Sequence, residues 1–179
     1  DQCTHSFFGV SKIYADLIVQ EYGRNVGLKT VCFRAGCITG PNHSGAKLHG
    51  FLSYLVKSSL NKNKYTVIGY KGKQVRDNLH SMDLVNCFWE FFKKPKKGEI
   101  YNIGGGRFSN CSVIEALKLV EEIVNIRIKK IIVKTPRVGD HIWYVSNLSK
   151  FKKHYPNWKQ KYNTKKIIEE LIEYQKYKN

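Results

Sequence analysis

Lys12 is the first side chain along the sequence whose type and position suggest chemistry. It stands four residues after Phe8, in the run Phe-Gly-Val-Ser-Lys. Residues four apart at the start of a helix project from the same face, so the two side chains should lie together. A phenyl ring can shuttle no proton, whereas a lysine ammonium donates hydrogen bonds. Taken alone, this run also fits an ordinary helix start with a solvated lysine.

The cysteines and histidines are too dispersed to indicate a metal site, and we predict no metal-binding residues. They are Cys3, Cys32, Cys37, Cys87, Cys111, His5, His43, His49, His80, His141 and His154. No two cysteines have C-x-x-C spacing, so we expect reduced thiols in a cytoplasmic protein. The triplet Gly104-Gly105-Gly106 lacks the Lys-Ser or Lys-Thr of a phosphate loop, and we predict a tight strand-to-helix turn there.

The formal net charge of +17 raises the question of nucleic-acid binding. Lysine supplies 25 of the basic residues and arginine only 6, and the lysines lie in scattered doublets. Arginine is the residue that reads bases and phosphates in a bidentate way. A basic nucleic-acid-binding module is therefore kept as the less favoured alternative. The charge also favours small anionic ligands.

The chain has 179 residues, of which 42% are hydrophobic and 25% charged, so it fits one ordinary globular domain or a piece of a larger protein. Helices and strands alternate, which predicts a mostly parallel α/β sheet. Helices are predicted over 11–27, 48–60, 81–92, after Ser112 and around 167–172; strands over 29–34, 65–68, 100–103 and 131–133; and a loop over 36–45. Ser81 and Ser112 are the predicted helix caps. The only methionine is Met82, so we expect further residues before Asp1.

Five ordered segments resemble the landmarks of the extended short-chain dehydrogenases, the NAD-dependent epimerase/dehydratase family. Residues 5–12 resemble the segment Y-G-x-S-K, with Phe8 in place of the tyrosine, and residues 33–41 resemble the strand and loop beneath the nicotinamide. The others are 69–83 (G-x-G-x-Q-x-R-D-x-x-H-x-x-D), 101–104 (Y-N-x-G) and 137–140 (R-x-G-D). The resemblance implies the later part of a Rossmann-type parallel sheet plus the small α/β substrate-binding domain of this family.

The resemblance also implies a role for each matching residue. Lys12 would bind the nicotinamide ribose of NAD, and Phe8 replaces the catalytic tyrosine. Arg76 and Arg137 would hold the diphosphate of a nucleotide sugar, and Asp140 would contact its ribose. For either arginine an ion pair is the alternative: Arg76 with Asp77 or Asp83, and Arg137 with Asp140. Further cofactor-binding residues would be Ala35, Gly36 and Cys37, and further substrate-binding residues Asn42, His49, Gly50, Tyr65, Thr66, Val67 and Ile68.

Within the family, residues 36–51 and 72–77 are most similar to epimerases of CDP-linked deoxysugars. This implies transient oxidation of a sugar carbon by NAD and return of the hydride to its other face. Because of Phe8, the alternative is a relative that binds a nucleotide sugar without turning it over. If another group acts as base, Cys37, His43 and His49 are the candidates. His80 and Asp83 are expected to be structural.

The resemblance sets approximate boundaries. Residues 1–40 would be a late Rossmann segment, and residues 41–179 mainly substrate-binding domain with interspersed Rossmann segments at about 78–105. The glycine-rich dinucleotide-binding half would lie before Asp1. We therefore expect the 179 residues alone to be inactive and to bind NAD weakly or not at all. A homodimer through the helix between Phe8 and Gly27 is implied by resemblance, and no membrane partner is expected.

Overall fold

The computed structural model describes residues 6–47, 49–137 and 139–178, so His5 of the first landmark and Val138 of the last lie outside the described residues. The predicted alternation of helices and strands is confirmed. The α-helices are α1 (Phe7–Arg24), α2 (Phe51–Leu60), α3 (Ser81–Lys93), α4 (Val113–Val124), α5 (Ser149–His154) and α6 (Thr164–Lys178). The strands are β1 (Val31–Ala35), β2 (Cys37–Thr39), β3 (Tyr65–Ile68), β4 (Val75–His80), β5 (Glu99–Ile103), β6 (Asn110–Ser112), β7 (Lys130–Val133) and β8 (Trp143–Tyr144). Among these helices, none has the length and apolar character that a membrane span requires.

Three small sheets organise the strands, and most of the pairings are parallel. β1 pairs with β5, β3 pairs with β7, and β2 and β8 both pair with β4, all in parallel. Only β6 runs antiparallel to its neighbour β4 among the described pairs. β4 therefore has three partner strands, and it forms the centre of the sheet that carries the candidate site.

Two apolar cores hold the sheets and helices together. One lies between α2, α4, α6 and β3 and includes the fully buried Leu55, Val120 and Ile167. The other joins β5 to α3 and α5, with the Tyr101 and Phe151 rings 5.2 Å apart in an edge-on arrangement. Edge-to-face aromatic contacts of this kind add specificity to the apolar burial.

Several element boundaries differ from the predictions. α1 begins at Phe7 rather than at position 11, because the Ser6 hydroxyl accepts a hydrogen bond from the Gly9 amide. The cap of α3 is His80 and not Ser81, since His80 Nδ1 accepts from the Met82 amide at 3.2 Å. The predicted loop over 36–45 contains β2, and the glycine triplet leads into β6 instead of directly into a helix. The predicted cap of α4 at Ser112 is confirmed.

Asp77 fixes the segments around β4. Its side chain is fully buried, and its Oδ2 accepts hydrogen bonds from the backbone amides of Gly106 at 3.0 Å and Ser146 at 2.9 Å. A Cβ atom at Gly36 or Gly104 would lie 2.2 Å from this carboxylate, so both positions require glycine. One buried carboxylate thus joins the β1–β2 turn, the glycine triplet and the segment after β8.

Candidate nucleotide-sugar site

A cavity of about 280 Å³ lies beside β2 and β4, at the start of α2. Its size is close to the lower end of the range for small-molecule sites. Its lining residues are Cys37, Ile38, Thr39, His43, His49, Gly50, Phe51, Leu52, Gln74, Arg76, Asn78, Val113, Arg137 and Asp140. The cavity therefore combines apolar walls with a small set of polar and charged groups.

Arg76, Arg137 and Asp140 meet at the wall of this cavity. Arg76 Nη2 donates to Asp140 Oδ1 at 2.6 Å, across 64 residues of sequence. Arg137 Nη2 lies 3.4 Å from the same oxygen. The two guanidinium groups and one carboxylate leave an excess positive charge. This arrangement suits an anion, because arginine forks bind phosphate groups with charge-assisted hydrogen bonds.

The ion pairs considered as alternatives are found for one arginine and not for the other. Arg137 contacts Asp140 as expected. A pair of Arg76 with Asp77 or Asp83 is wrong, because both carboxylates are buried and occupied elsewhere. Asp77 binds the amides described above, and Asp83 accepts hydrogen bonds from the amides of Lys161 and Tyr162. Asp83 is therefore structural, as predicted, and Arg76 forms its ion pair with Asp140 at the cavity wall instead.

His43, which follows β2, and Gly50, which precedes α2, pack against each other in the cavity wall. Gly50 has a φ of +67°, and a Cβ there would lie 2.5 Å from His43 Cε1. His43 Nδ1 is 3.2 Å from Thr39 Oγ1, and the His43 carbonyl accepts from Ser53 Oγ at 2.6 Å. The imidazole thus contacts Thr39 and packs against Gly50, and Ser53 holds the His43 backbone. His49 lines the same cavity.

Cys37 lies in the cavity wall, and burial raises the pKa of its thiol. The raised pKa keeps the thiol neutral near pH 7, and a neutral thiol is a poor proton acceptor. Of the three candidates for the base, His43 and His49 are therefore better suited than Cys37, because a neutral imidazole has a nitrogen that can accept a proton.

The other residues predicted for the site lie outside this cavity. Tyr65 and Val67 point into the core between α2 and α4, and burial raises the pKa of Tyr65 to about 12. Thr66 and Ile68 occupy the alternate positions of β3, and Asn42 is exposed in the turn after β2. Ala35 ends β1 and Gly36 connects it to β2.

Lys12 and Phe8 are on the surface of α1, with the Lys12 ammonium 5.2 Å from the centre of the Phe8 ring. The prediction that these side chains share one helix face is therefore confirmed. Neither lines the cavity. They lie on α1, which packs against β1 and β5.

Gln74 and Asn78 were not predicted as site residues, although a signal for them is present in the sequence. Residues 74, 76 and 78 alternate, and alternate residues of a strand share one face. The identification of a strand at β4 would have placed both amides beside Arg76. Thr39 and Val113 carry no comparable signal, because they reach the cavity only through the pairing of β2 with β4 and of β4 with β6.

Comparisons with known proteins identify the family of the chain. The sequence model of the NAD dependent epimerase/dehydratase family matches residues 2–104. CDP-paratose 2-epimerase of Salmonella typhi is 29% identical over 95% of this chain and 52% of its own length. dTDP-D-glucose 4,6-dehydratase of Dictyostelium discoideum is 31% identical over 68% of this chain and 26% of its own length.

Solved structures show the same fold. UDP-glucose 4-epimerase of Thermotoga maritima, solved with UDP-glucose, superposes with a TM-score of 0.83 at 23% identity, covering 95% of this chain and 53% of that one. UDP-glucuronic acid 4-epimerase of Bacillus cereus, solved with UDP-glucuronic acid and NAD, gives 0.81 at 21% identity, covering 100% and 58%. The chain spans about half the length of the first of these curated relatives. The fold, the matched segment and the ordered landmarks together show that the chain belongs to the NAD-dependent epimerase/dehydratase family.

Proposed function

We propose that this chain binds the nucleotide sugar in an NAD-dependent nucleotide-sugar epimerase resembling CDP-paratose 2-epimerase. The observation that carries the proposal is the meeting of Arg76 and Arg137 at one cavity wall with Asp140 between them. The guanidinium groups would bind the diphosphate, and Asp140 would accept a hydrogen bond from the ribose. His49 and Gly50 would lie against the base or the sugar. A CDP-linked deoxysugar is the proposed substrate.

NAD is the proposed cofactor, and it would supply the hydride acceptor and donor for the sugar carbon. The residues of this chain fit the nicotinamide-ribose end of NAD. The exposed Lys12 side chain, at the start of α1, can donate hydrogen bonds to a ribose hydroxyl. Ala35, Gly36 and Cys37 would lie beneath the nicotinamide. The glycine triplet leads into a strand, so it is not the strand-to-helix turn that binds a dinucleotide.

A second function has an observation in its favour, namely the phenyl ring at position 8. It cannot exchange a proton, so the second candidate is a relative that binds a nucleotide sugar without converting it. A phenylalanine-for-tyrosine variant of the Bacillus cereus epimerase is seen in complex with UDP-4-deoxy-4-fluoro-glucuronic acid and NAD. Formation of an isomer from a nucleotide sugar by the complete protein would support the epimerase and contradict this candidate.

Calorimetric titration of CDP, UDP, GDP and dTDP tests the proposed binding site. We expect selective binding of one nucleotide, with CDP favoured, and a loss of about tenfold or more in affinity in Arg76→Ala. Charge-assisted hydrogen bonds of this kind typically contribute about 1.5–3 kcal/mol. Arg107→Ala is the matched control, because this exposed arginine lies in the loop after β5, outside the cavity. An equal affinity in both variants, or no binding of any nucleotide, would contradict the proposal.

The cofactor proposal has its own test, a thermal shift measured with NAD. Among the described residues, the proposed contacts to NAD are Lys12 and the end of β1 with the two residues after it. NAD should therefore raise the melting temperature of the 179-residue chain little or not at all. Binding at 100 times the Kd would raise the free energy of unfolding by about 2.7 kcal/mol, which a thermal shift detects easily. Tight saturable stabilisation of this chain by NAD would overturn the expectation.

A further inference from the structure

Three buried oxygen atoms at the wall of the cavity have no hydrogen-bond partner among the described residues. They are Gln74 Oε1, Asn78 Oδ1 and Asp140 Oδ2. Gln74 is 6% exposed, Asn78 is fully buried, and the Asp140 side chain is 5% exposed. Buried acceptors without partners are rare in folded proteins, because each loses its hydrogen bonds to water. These three are half of the six buried side-chain atoms without a hydrogen-bond partner in the described part of the chain, and all three are acceptors that line one cavity. This arrangement fits a ligand that brings hydrogen-bond donors.

The orientation of both amides is fixed by the backbone. Gln74 Nε2 donates to the Ile68 carbonyl at 2.8 Å. Asn78 Nδ2 donates to the Arg76 carbonyl at 3.3 Å and contacts Cys111 Sγ at 3.5 Å. A flipped amide would bring two carbonyl oxygens together, so the nitrogens stay on the backbone side. The oxygens therefore remain as the free ends of both side chains.

The spacing of these residues around Arg76 indicates the chemistry of the ligand. Gln74 immediately precedes β4 and Asn78 lies within it, two residues before and two residues after Arg76. In an extended backbone two residues span about 6–7 Å, so the two amides flank the Arg76 side chain. In a nucleotide sugar the diphosphate has a hydroxyl-bearing ring on either side, the ribose and the hexose. The base, with its amino or carbonyl groups, lies one ring further away.

We propose that Gln74 and Asn78 are specificity-determining residues that accept hydrogen bonds from ring hydroxyls on the two sides of the diphosphate. One amide binds the hexose and the other binds the ribose. This inference rests on the proposed function, because Arg76 must hold the diphosphate for the two amides to reach the rings. It adds to that function a requirement for free hydroxyl donors in the substrate.

The test is calorimetric titration of CDP, 2′-deoxy-CDP and CDP-glucose, with UDP and UDP-glucose in parallel, into the wild type, Gln74→Met and Asn78→Leu. Both substitutions nearly preserve side-chain size while removing the amide. In the wild type, CDP-glucose should bind more tightly than CDP, and CDP more tightly than its 2′-deoxy form. One variant should lose the gain from glucose and the other the gain from the 2′-hydroxyl, each by about tenfold.

Matched controls separate recognition from folding. Gln160→Met and Asn110→Leu remove amides that also donate to backbone carbonyls, at Gly104, Gly105 and Gly106, but lie outside this cavity. Both controls should keep the full gains from glucose and from the 2′-hydroxyl. Equal thermal stability of a variant and its control excludes a folding defect. If a site variant unfolds, the 2′-deoxy and glucose comparisons are repeated with Gln74→Leu and Asn78→Ala, which also remove the acceptor oxygen without adding a charge and should lose the same gains.

Three results would overturn the inference. Both gains could survive in both variants, or the wild type could show no gain from either hydroxyl-bearing ring. A variant could also lose affinity for the CDP compounds and keep its affinity for the UDP compounds. The substituted amide would then bind the cytosine amino group and not a ring hydroxyl. If the wild type binds neither CDP nor UDP, the proposed function itself fails. Binding of CDP with unchanged gains defeats only the inference.

Discussion

At the scale of single residues, the charge of the candidate site depends on Asp140. Its carboxylate partly neutralises Arg76 and Arg137, and the site is thereby weaker for a bare anion than two arginines alone would be. The same carboxylate keeps an unpartnered oxygen, which suits a hydroxyl donor. In the proposed function, Asp140 would therefore favour a nucleotide over inorganic phosphate compounds of equal charge.

Asp140→Asn should strengthen the binding of inorganic pyrophosphate by roughly fivefold, because a negative charge leaves the site. The measurement is calorimetric titration at constant ionic strength, since salt screens such interactions. Asp16→Asn is the matched control: Asp16 pairs with Arg34 at 2.7 Å on α1, outside the cavity, and its loss should leave pyrophosphate affinity unchanged. Weaker or unchanged pyrophosphate binding in Asp140→Asn would contradict this account.

Arg76, Arg137 and Asp140 were singled out in short sequence motifs, and the structure brings their side chains together at one cavity wall. Their roles in ligand binding stay predictions. Gln74 and Asn78 were missed because their alternation with Arg76 is informative only once a strand is identified at β4, and that strand was not predicted. Their burial depends on contacts with β3 and β6, which are contributed by distant segments.

At the scale of elements, β4 shows where pattern reading fails. Four of its six residues are polar, namely Arg76, Asp77, Asn78 and His80. The sequence therefore lacks the apolar alternation that indicates a strand. The strand is nevertheless central and largely buried. Asp77 and His80 have polar partners from distant segments, the amides of Gly106 and Ser146 and the carboxylate of Glu170. Such partners are invisible in sequence. By contrast, β3 and the apolar stripe of α6 were predicted because their burial is recorded in local periodicity.

The capping box of α4 gives a prediction at the same scale. The Ser112 hydroxyl accepts from the Glu115 amide at 3.2 Å, and Glu115 Oε2 accepts from the Ser112 amide at 2.7 Å. Ser112→Ala should lower the free energy of unfolding by about 1 kcal/mol, measured by urea denaturation. Ser149→Ala at the start of α5, which has no side-chain cap, is the control and should be near neutral.

The contribution of the capping box should also depend on pH. Hydrogen bonds from Ser112 hold the pKa of Glu115 below its ordinary value of 4.5. A carboxyl group with a lowered folded-state pKa stabilises the protein above the unfolded pKa and loses that effect as the pH falls through the folded one. The difference between wild type and Ser112→Ala should therefore shrink below pH 4.5. A difference that stays constant to pH 3 would show that the bond from the Ser112 hydroxyl to the Glu115 carboxylate contributes nothing, because the variant keeps the bond from the backbone amide.

At the scale of the whole molecule, α1 carries an apolar stripe that the described chain leaves uncovered. Val10, Ile13, Tyr14 and Leu17 follow the i, i+3, i+4, i+7 pattern, and each is at least half exposed. A stripe with this pattern normally faces a core. The sequence predicted this helix from the related spacing of Tyr14, Leu17, Ile18 and Tyr22. Such periodicity does not say whether the covering surface belongs to the same chain or to another.

We propose that a second copy covers this stripe, with the two α1 helices packed together. Sedimentation velocity should then show a dimer for the wild type and a monomer for Leu17→Glu, because a charge in the centre of an apolar interface is left unpaired. Val85→Glu, at an exposed apolar position on α3, is the matched control and should remain dimeric. A monomeric wild type would contradict the proposal, and dissociation of both variants would place the interface on a surface shared by α1 and α3. If the wild type is monomeric, a surface other than a second copy must cover the stripe. Four large apolar side chains in one row on a helix mark a contact surface, because such patches are rarely left in contact with water.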